Sequence, residues 1–289
     1  MYRKRILLSI TLLILMSCAC QLIDIPIDTE QKTGETITEP IDVPFLNSAQ
    51  PHAIVTLTFG AGTLQILPNP GNALISGTAT YNVEDFKPEI TIVDNAVTVK
   101  QGSITLDTVP TVNDKIKNEW ILALAQHPMD LTVKAGAYKG NYELGGLAIT
   151  DLHVADGAST VDLSFSMPNQ ISMNTFRYET GASDISLKNL SNANFQTMIF
   201  QAGAGNYNLD FSGILQQSAS IFIETGLSRI IIIVPKGIPA EARFEGALTQ
   251  INTNGDWQQA GEIYTQAGEG PKLTFIIETS AGTVTLRNP

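Results

Sequence analysis

A chain of 289 residues with 43% hydrophobic and only 16% charged side chains can fill one long domain or two modest ones, and it is too apolar to stay disordered. Its formal charge of −11 disfavours nucleic-acid partners, because an acidic surface repels phosphate backbones. Both cysteines, Cys18 and Cys20, lie near the N-terminus, so the body has neither a disulfide nor a cysteine metal site.

The chain starts with a basic stretch, Tyr2-Arg3-Lys4-Arg5, followed by an apolar run from Ile6 to Met16. Eleven residues are too few for a permanent bilayer span, which takes about 20, but they suit the h-region of a signal peptide. Leu15-Met16-Ser17-Cys18 then reads as a lipobox, predicting a signal peptide over 1–17 and a diacylglyceryl group on the Cys18 thiol. Cys20, after Ala19, is a weaker competing site; an ordinary secretory signal or an uncleaved anchor is the plainer alternative. The expected location is the cell membrane, lipid-anchored on its extracytoplasmic face, with membrane lipid as a partner through the acylated cysteine. Loss of Arg3, Lys4 and Arg5 would leave 14 basic against 28 acidic side chains, a charge of −14.

Residues 18–50 carry Asp24, Asp28, Glu30, Glu35, Glu39 and Asp42, interrupted by Pro26, Pro40 and Pro44. Such a stretch buries little, and it predicts a disordered, lipidated linker. Region 51–128 holds hairpin-like runs at Leu74–Tyr81, Pro88–Val93 and Val97–Val99, the last two joined at Asn95-Ala96. It is predicted to be an N-terminal β subdomain capping the first coil of a repeat region over 129–289. Asn113 to Ala125 could be an amphipathic helix; Trp120, Leu122 and Leu124 favour a strand.

A corner recurs through 129–289. Leu152 and Val154 precede Gly157 by five and three residues, and Val161 and Leu163 follow by four and six. The same offsets relate Phe176, Tyr178, Ile185 and Leu187 to Gly181. They hold again for Met198, Phe200, Tyr207 and Leu209 about Gly203, and for Ile221, Ile223, Ile230 and Ile232 about Gly226. Looser copies surround Gly136, Ala247 and Ser280, and an outlying one Gly60; from Gly136 to residue 247 the steps are 21, 24, 22, 23 and 21. A single coil of this size buries four or five aliphatics, worth about 1.5–3 kcal/mol each, against a backbone ordering cost of about 1–2 kcal/mol per residue. Only stacking can offset that cost. The expected fold is all-β, a single-stack β-solenoid with an N-terminal β cap, and its corner glycines would supply φ > 0. A meandering β-sandwich is the competing architecture; near-constant corner spacing favours the solenoid. Trp257 to Lys272 reads as a loop before a closing pair of strands.

Ile54-Val55-Thr56-Leu57-Thr58-Phe59-Gly60-Ala61-Gly62-Thr63-Leu64-Gln65-Ile66, with Tyr81-Asn82-Val83 and Lys87-Pro88-Glu89, resembles the N-terminal toast-rack domain. The later Gly-Ala repeats resemble the β-solenoid of toast-rack, putative-adhesin and cell-wall-active antibiotic-response (LiaF-type) proteins. The likeness covers about residues 51–289 and implies a β-solenoid domain. LiaF-type members regulate an envelope-stress response but carry transmembrane helices, where this chain has a lipobox. The resemblance implies no catalytic residues and no cofactor.

Chemistry-bearing residues are sparse. His52, His127 and His153 are isolated in sequence, with no second ligand at metal spacing. Gly60-Ala61-Gly62 and Gly203-Ala204-Gly205 read as corners, not phosphate cradles, and no serine sits in a Gly-x-Ser-x-Gly elbow. Asp156, Asp162, Asp184 and Asp210 lie at different offsets from their glycines and read as a solvated face. No catalytic, cofactor or metal residue is therefore assigned. The function expected is non-enzymatic, adhesin-like or stress-sensing, toward an envelope protein or glycan. A carbohydrate-binding or polysaccharide-active β-helix is the rival, with Trp257 as its exposed aromatic, and a ligand-free spacer is a third class.

Overall fold

The computed structural model describes residues 33–46, 52–69, 71–102, 116–245 and 249–289; the leader, Cys18 and Cys20 lie outside the described residues. Its centre is a run of long strands, each bent in the middle: β2 (Ala53–Asn69), β7 (Met129–Glu143), β8 (Ile149–Ser164), β9 (Met173–Lys188), β10 (Phe195–Asp210) and β11 (Ala219–Ile233). They pair in parallel in that order, in register along both arms.

The bend follows from a slip in the period-two pattern. In β9, Phe176, Tyr178 and Thr180 are buried, Gly181 and Ala182 are both exposed, and Ser183, Ile185 and Leu187 are buried again. One extra outward residue flips the phase, so both arms aim their apolar side chains into one interior. Near the apex the space between the arms is narrow, and it is filled by small hydroxyls. Thr180 and Ser183 bond at 2.6 Å, Ser159 donates to Ser183 at 3.0 Å, and Thr225 donates to Thr279 at 2.8 Å.

The corner glycines stack as a column, but not for the reason expected. None of Gly136, Gly157, Gly181, Gly203 or Gly226 has a positive φ. What four of them lack room for is a Cβ: one on Gly136 would lie 2.4 Å from the Gly60 carbonyl oxygen and one on Gly181 2.5 Å from that of Gly157, whereas at Gly157 the approach relaxes to 3.2 Å. Close backbone approach between coils selects glycine here.

On the third side, short segments carry the chain back. Two buried asparagines bind them together. Asn169 donates to the Ile149 and Ile171 carbonyls (2.8 Å each) and accepts from the Ile149 amide. Asn192 donates to the Phe165 carbonyl (2.9 Å) and accepts from the Ile214 amide (2.8 Å).

The two ends depart from a simple stack. At the N-terminal end, β5 (Ala96–Gln101) and β6 (Asn118–Ala125) pair in parallel with the first and second arms of β2. β3 (Ala73–Tyr81) lies antiparallel to β6, and β4 (Pro88–Val93) antiparallel to β5, with the turn at Asp94-Asn95 and Asp94 at φ 52°. The β2–β7 pairing makes β2 the first coil of the stack, so the boundary placed at residues 128/129 crosses a continuous core.

The linker expected over 18–50 also needs correction. Ile37–Pro44 forms β1, antiparallel to β3, with Ile41 and Val43 buried. Its acids and prolines alternate with aliphatics, and prolines are tolerated on an edge strand. At the far end, β16 (Leu273–Arg287) inserts between β11 and the pair β12 (Ala240–Glu245) and β13 (Thr249–Asn254). β15 (Ile263–Gln266) and β14 (Gln258–Ala260) then close this end, antiparallel to β12 and to each other. The repeat after Gly226 in sequence is thus one place further out in space.

Candidate binding face

In-register parallel strands turn a fixed offset from the corner into a straight row of side chains about 4.8 Å apart. Two outward rows on the first arm stand out. Four residues before the corner come His153, Arg177, Ile199, Phe222, Ile276 and Arg243, on β8, β9, β10, β11, β16 and β12. Two residues before it come Ala155, Glu179, Gln201, Glu224, Glu278 and Glu245 on the same strands. The first row therefore has an apolar middle, where Phe222 is 42% and Ile276 37% exposed. The second row becomes a run of three glutamates on neighbouring strands.

Polar contacts tie one end of these rows together. His153 Nε2 lies 2.6 Å from Glu179, and Arg177 donates both to Glu179 (3.3 Å) and to the Gln201 side-chain Oε1 (2.9 Å). Gln201 in turn donates to Glu224 at 2.9 Å. The hydrogen bond from His153 outweighs slight desolvation and, with the charges of His153 and Arg177, holds the Glu179 carboxyl below its usual range. Glu278 and Glu245 have no ion pair among the described residues. An open groove runs along the corner between Asp156 and Ser280, floored by Gly203 and Gly226, with Glu179, Glu224 and Glu278 on its wall.

The residues singled out in sequence are scattered differently. Asp156 turns inward instead of facing water. It accepts from the hydroxyls of Tyr178 (2.8 Å), Tyr138 (3.2 Å), Ser159 (3.0 Å) and Thr180. Burial, reinforced by the Asp156 charge, pushes the Tyr178 phenol far up and keeps it a donor. Asp162 pairs with Lys188 (2.6 Å), Asp184 accepts from Asn206 (2.7 Å), and Asp210 binds Ser212; they stand in three different rows. His153 is not isolated, since Glu179 is its partner. His52 lies 3.3 Å from Asp130, and His127 meets the Phe45 ring edge-on. Trp257 is only 8% exposed and belongs to the core, as does Trp120, so the aromatic expected at a sugar site is a packing residue.

The glutamate row escapes the sequence reading, although Glu179, Glu224 and Glu278 all stand two residues before a corner residue. Strand alternation identifies a core through its buried phase, and the exposed phase carries this signal.

Comparison places the chain among known proteins. No curated protein matches it. Among solved structures, a "putative cell adhesion protein" from Clostridium sporogenes shares 20% identity, covering 88% of this chain and 100% of its own, at a TM-score of 0.49. A "putative adhesin" from Bacteroides fragilis shares 13% identity, covering 88% and 97%, at a TM-score of 0.44. The family described as "N-terminal domain of toast_rack, DUF2154" matches residues 27–175, just over half the chain. The chain belongs to the toast-rack family.

Proposed function

We propose that this protein is a non-enzymatic, adhesin-like binding module held on the extracytoplasmic face of a membrane by a lipid on Cys18. The observation that carries the reading is the outer face of the first arm, where exposed Phe222 and Ile276 and half-buried Ile199 form one row beside Glu224, Glu278 and Glu245. A monomeric domain gains nothing from Phe222 and Ile276 held in water beside Ile199 on a rigid sheet, whereas a partner surface gains their burial. The basic start, the short apolar run and Ser17-Cys18 support the anchor.

Cells making the full chain should incorporate an alkyne fatty acid into it, and Cys18→Ala should abolish the label. The same cells should adhere to an isolated envelope layer, and Phe222→Asp should reduce that adhesion severalfold. An unlabelled chain would overturn the anchor. Adhesion unchanged by Phe222→Asp would overturn the face, and reproducible cleavage of a glycan by the purified chain would overturn the non-enzymatic reading.

A further inference from the structure

Resting on that reading of the face, we infer that its occupant is a cationic amphipathic helix of a protein partner, lying across the strands. Charge and spacing together point to this ligand. The rows four and two residues before the corner are about 7 Å apart along the strands. A helix about 10 Å wide covers both at once. Laid across the strands, it repeats every 5.4 Å or so per turn, close to the strand separation of about 4.8 Å.

Its apolar stripe would rest on Ile199, Phe222 and Ile276, and basic side chains one flank away would reach Glu224, Glu278 and Glu245. These three carboxylates sit directly opposite one another, an arrangement that costs stability until cations intervene. Glu278 and Glu245 lack ion pairs among the described residues, so they are available to such cations. Arg177 beyond Ile199 and Arg243 beyond Ile276 bracket the apolar stretch and limit the apolar contact to three strands, with the carboxylate row offset by one strand to β12, so that two to three helical turns, about 5.4 Å each, span the site. An acidic helix is disfavoured by the same carboxylates.

The test uses the full chain and synthetic 18-residue Leu/Lys peptides, with binding read by fluorescence anisotropy. The amphipathic helical peptide should bind. The triple variant Glu224→Gln, Glu278→Gln, Glu245→Gln should weaken it about tenfold, as expected for three exposed charge pairs. A control triple of equal charge change elsewhere, Glu84→Gln, Glu89→Gln, Glu119→Gln, should leave it unchanged. Phe222→Ser should weaken it without altering the salt dependence. Three results would each overturn the inference: equal loss in the control triple, equal binding of a proline-interrupted peptide of the same composition, or no binding. Adhesion lost in Phe222→Asp cells while the peptide fails to bind would leave the adhesin-like reading standing and remove only the helical occupant.

Discussion

At the scale of single residues, the glycine column makes a graded prediction. A Cβ on Gly181 meets the Gly157 carbonyl oxygen at 2.5 Å, whereas one on Gly157 meets the Gly136 oxygen at 3.2 Å. Gly181→Ala must push a backbone aside and should cost about 1–3 kcal/mol, while Gly157→Ala should cost less than about 1 kcal/mol. Urea melts of both variants would show the difference; equal midpoints would mean that the column tolerates a methyl group.

Glu179 makes a pH prediction. Its folded pKa lies below the ordinary value of 4.5, so its ion pairs contribute stability above that pH and lose it as pH falls through the depressed value. The advantage of wild type over Glu179→Gln should thus shrink on acidification below about pH 4.5. Because the carboxylate is part exposed, the effect should be a few tenths of a kcal/mol. A gap that widens on acidification would contradict the sign.

At the scale of elements, β1 shows what composition conceals. The stretch is acidic and proline-bearing as a whole, yet Ile41 and Val43 alternate with Pro40, Asp42 and Pro44 and reach the core. Val43→Ala should lower stability by about 2 kcal/mol, measurable by urea melting. No change would return residues 37–44 to the spacer. The bent strands are legible in sequence because each buries apolar groups at the same offsets from its corner, and a slip in period two leaves a visible mark. Strand order at the C-terminal end is not. Phe275-Ile277 and Phe244 satisfy the pattern equally well, and only pairing, with β16 against β11 along both arms, decides which lies inside. The candidate face is legible in principle, since Glu179, Glu224 and Glu278 share an offset, but its apolar row depends on three strands being neighbours, one of them out of sequence.

At the scale of the molecule, charge is unevenly spread over the first-arm face. Lys134 occupies the β7 position of the row that ends in Glu224, Glu278 and Glu245. Replacing those three glutamates with glutamine relieves repulsion between neighbours and should stabilise the free protein by about 1 kcal/mol. Such a gain corresponds to about 2–4 °C in Tm for a domain of this size. Added salt should narrow the difference, since exposed charges are screened. A lower Tm in the variant would mean that the carboxylates already have stabilising partners.

The insertion of β16 between β11 and β12 also bears on when the protein can finish folding. Synthesis is vectorial, so coils from β2 to β11 can add one after another as they emerge. β12 and β13 then arrive before the strand they must pair with, leaving the Ile221 and Ile223 edge uncovered until residues 273–287 emerge. The final docking event is therefore the entry of β16 as a wedge between β11 and β12, and the stack cannot close before residues 273–287 are made.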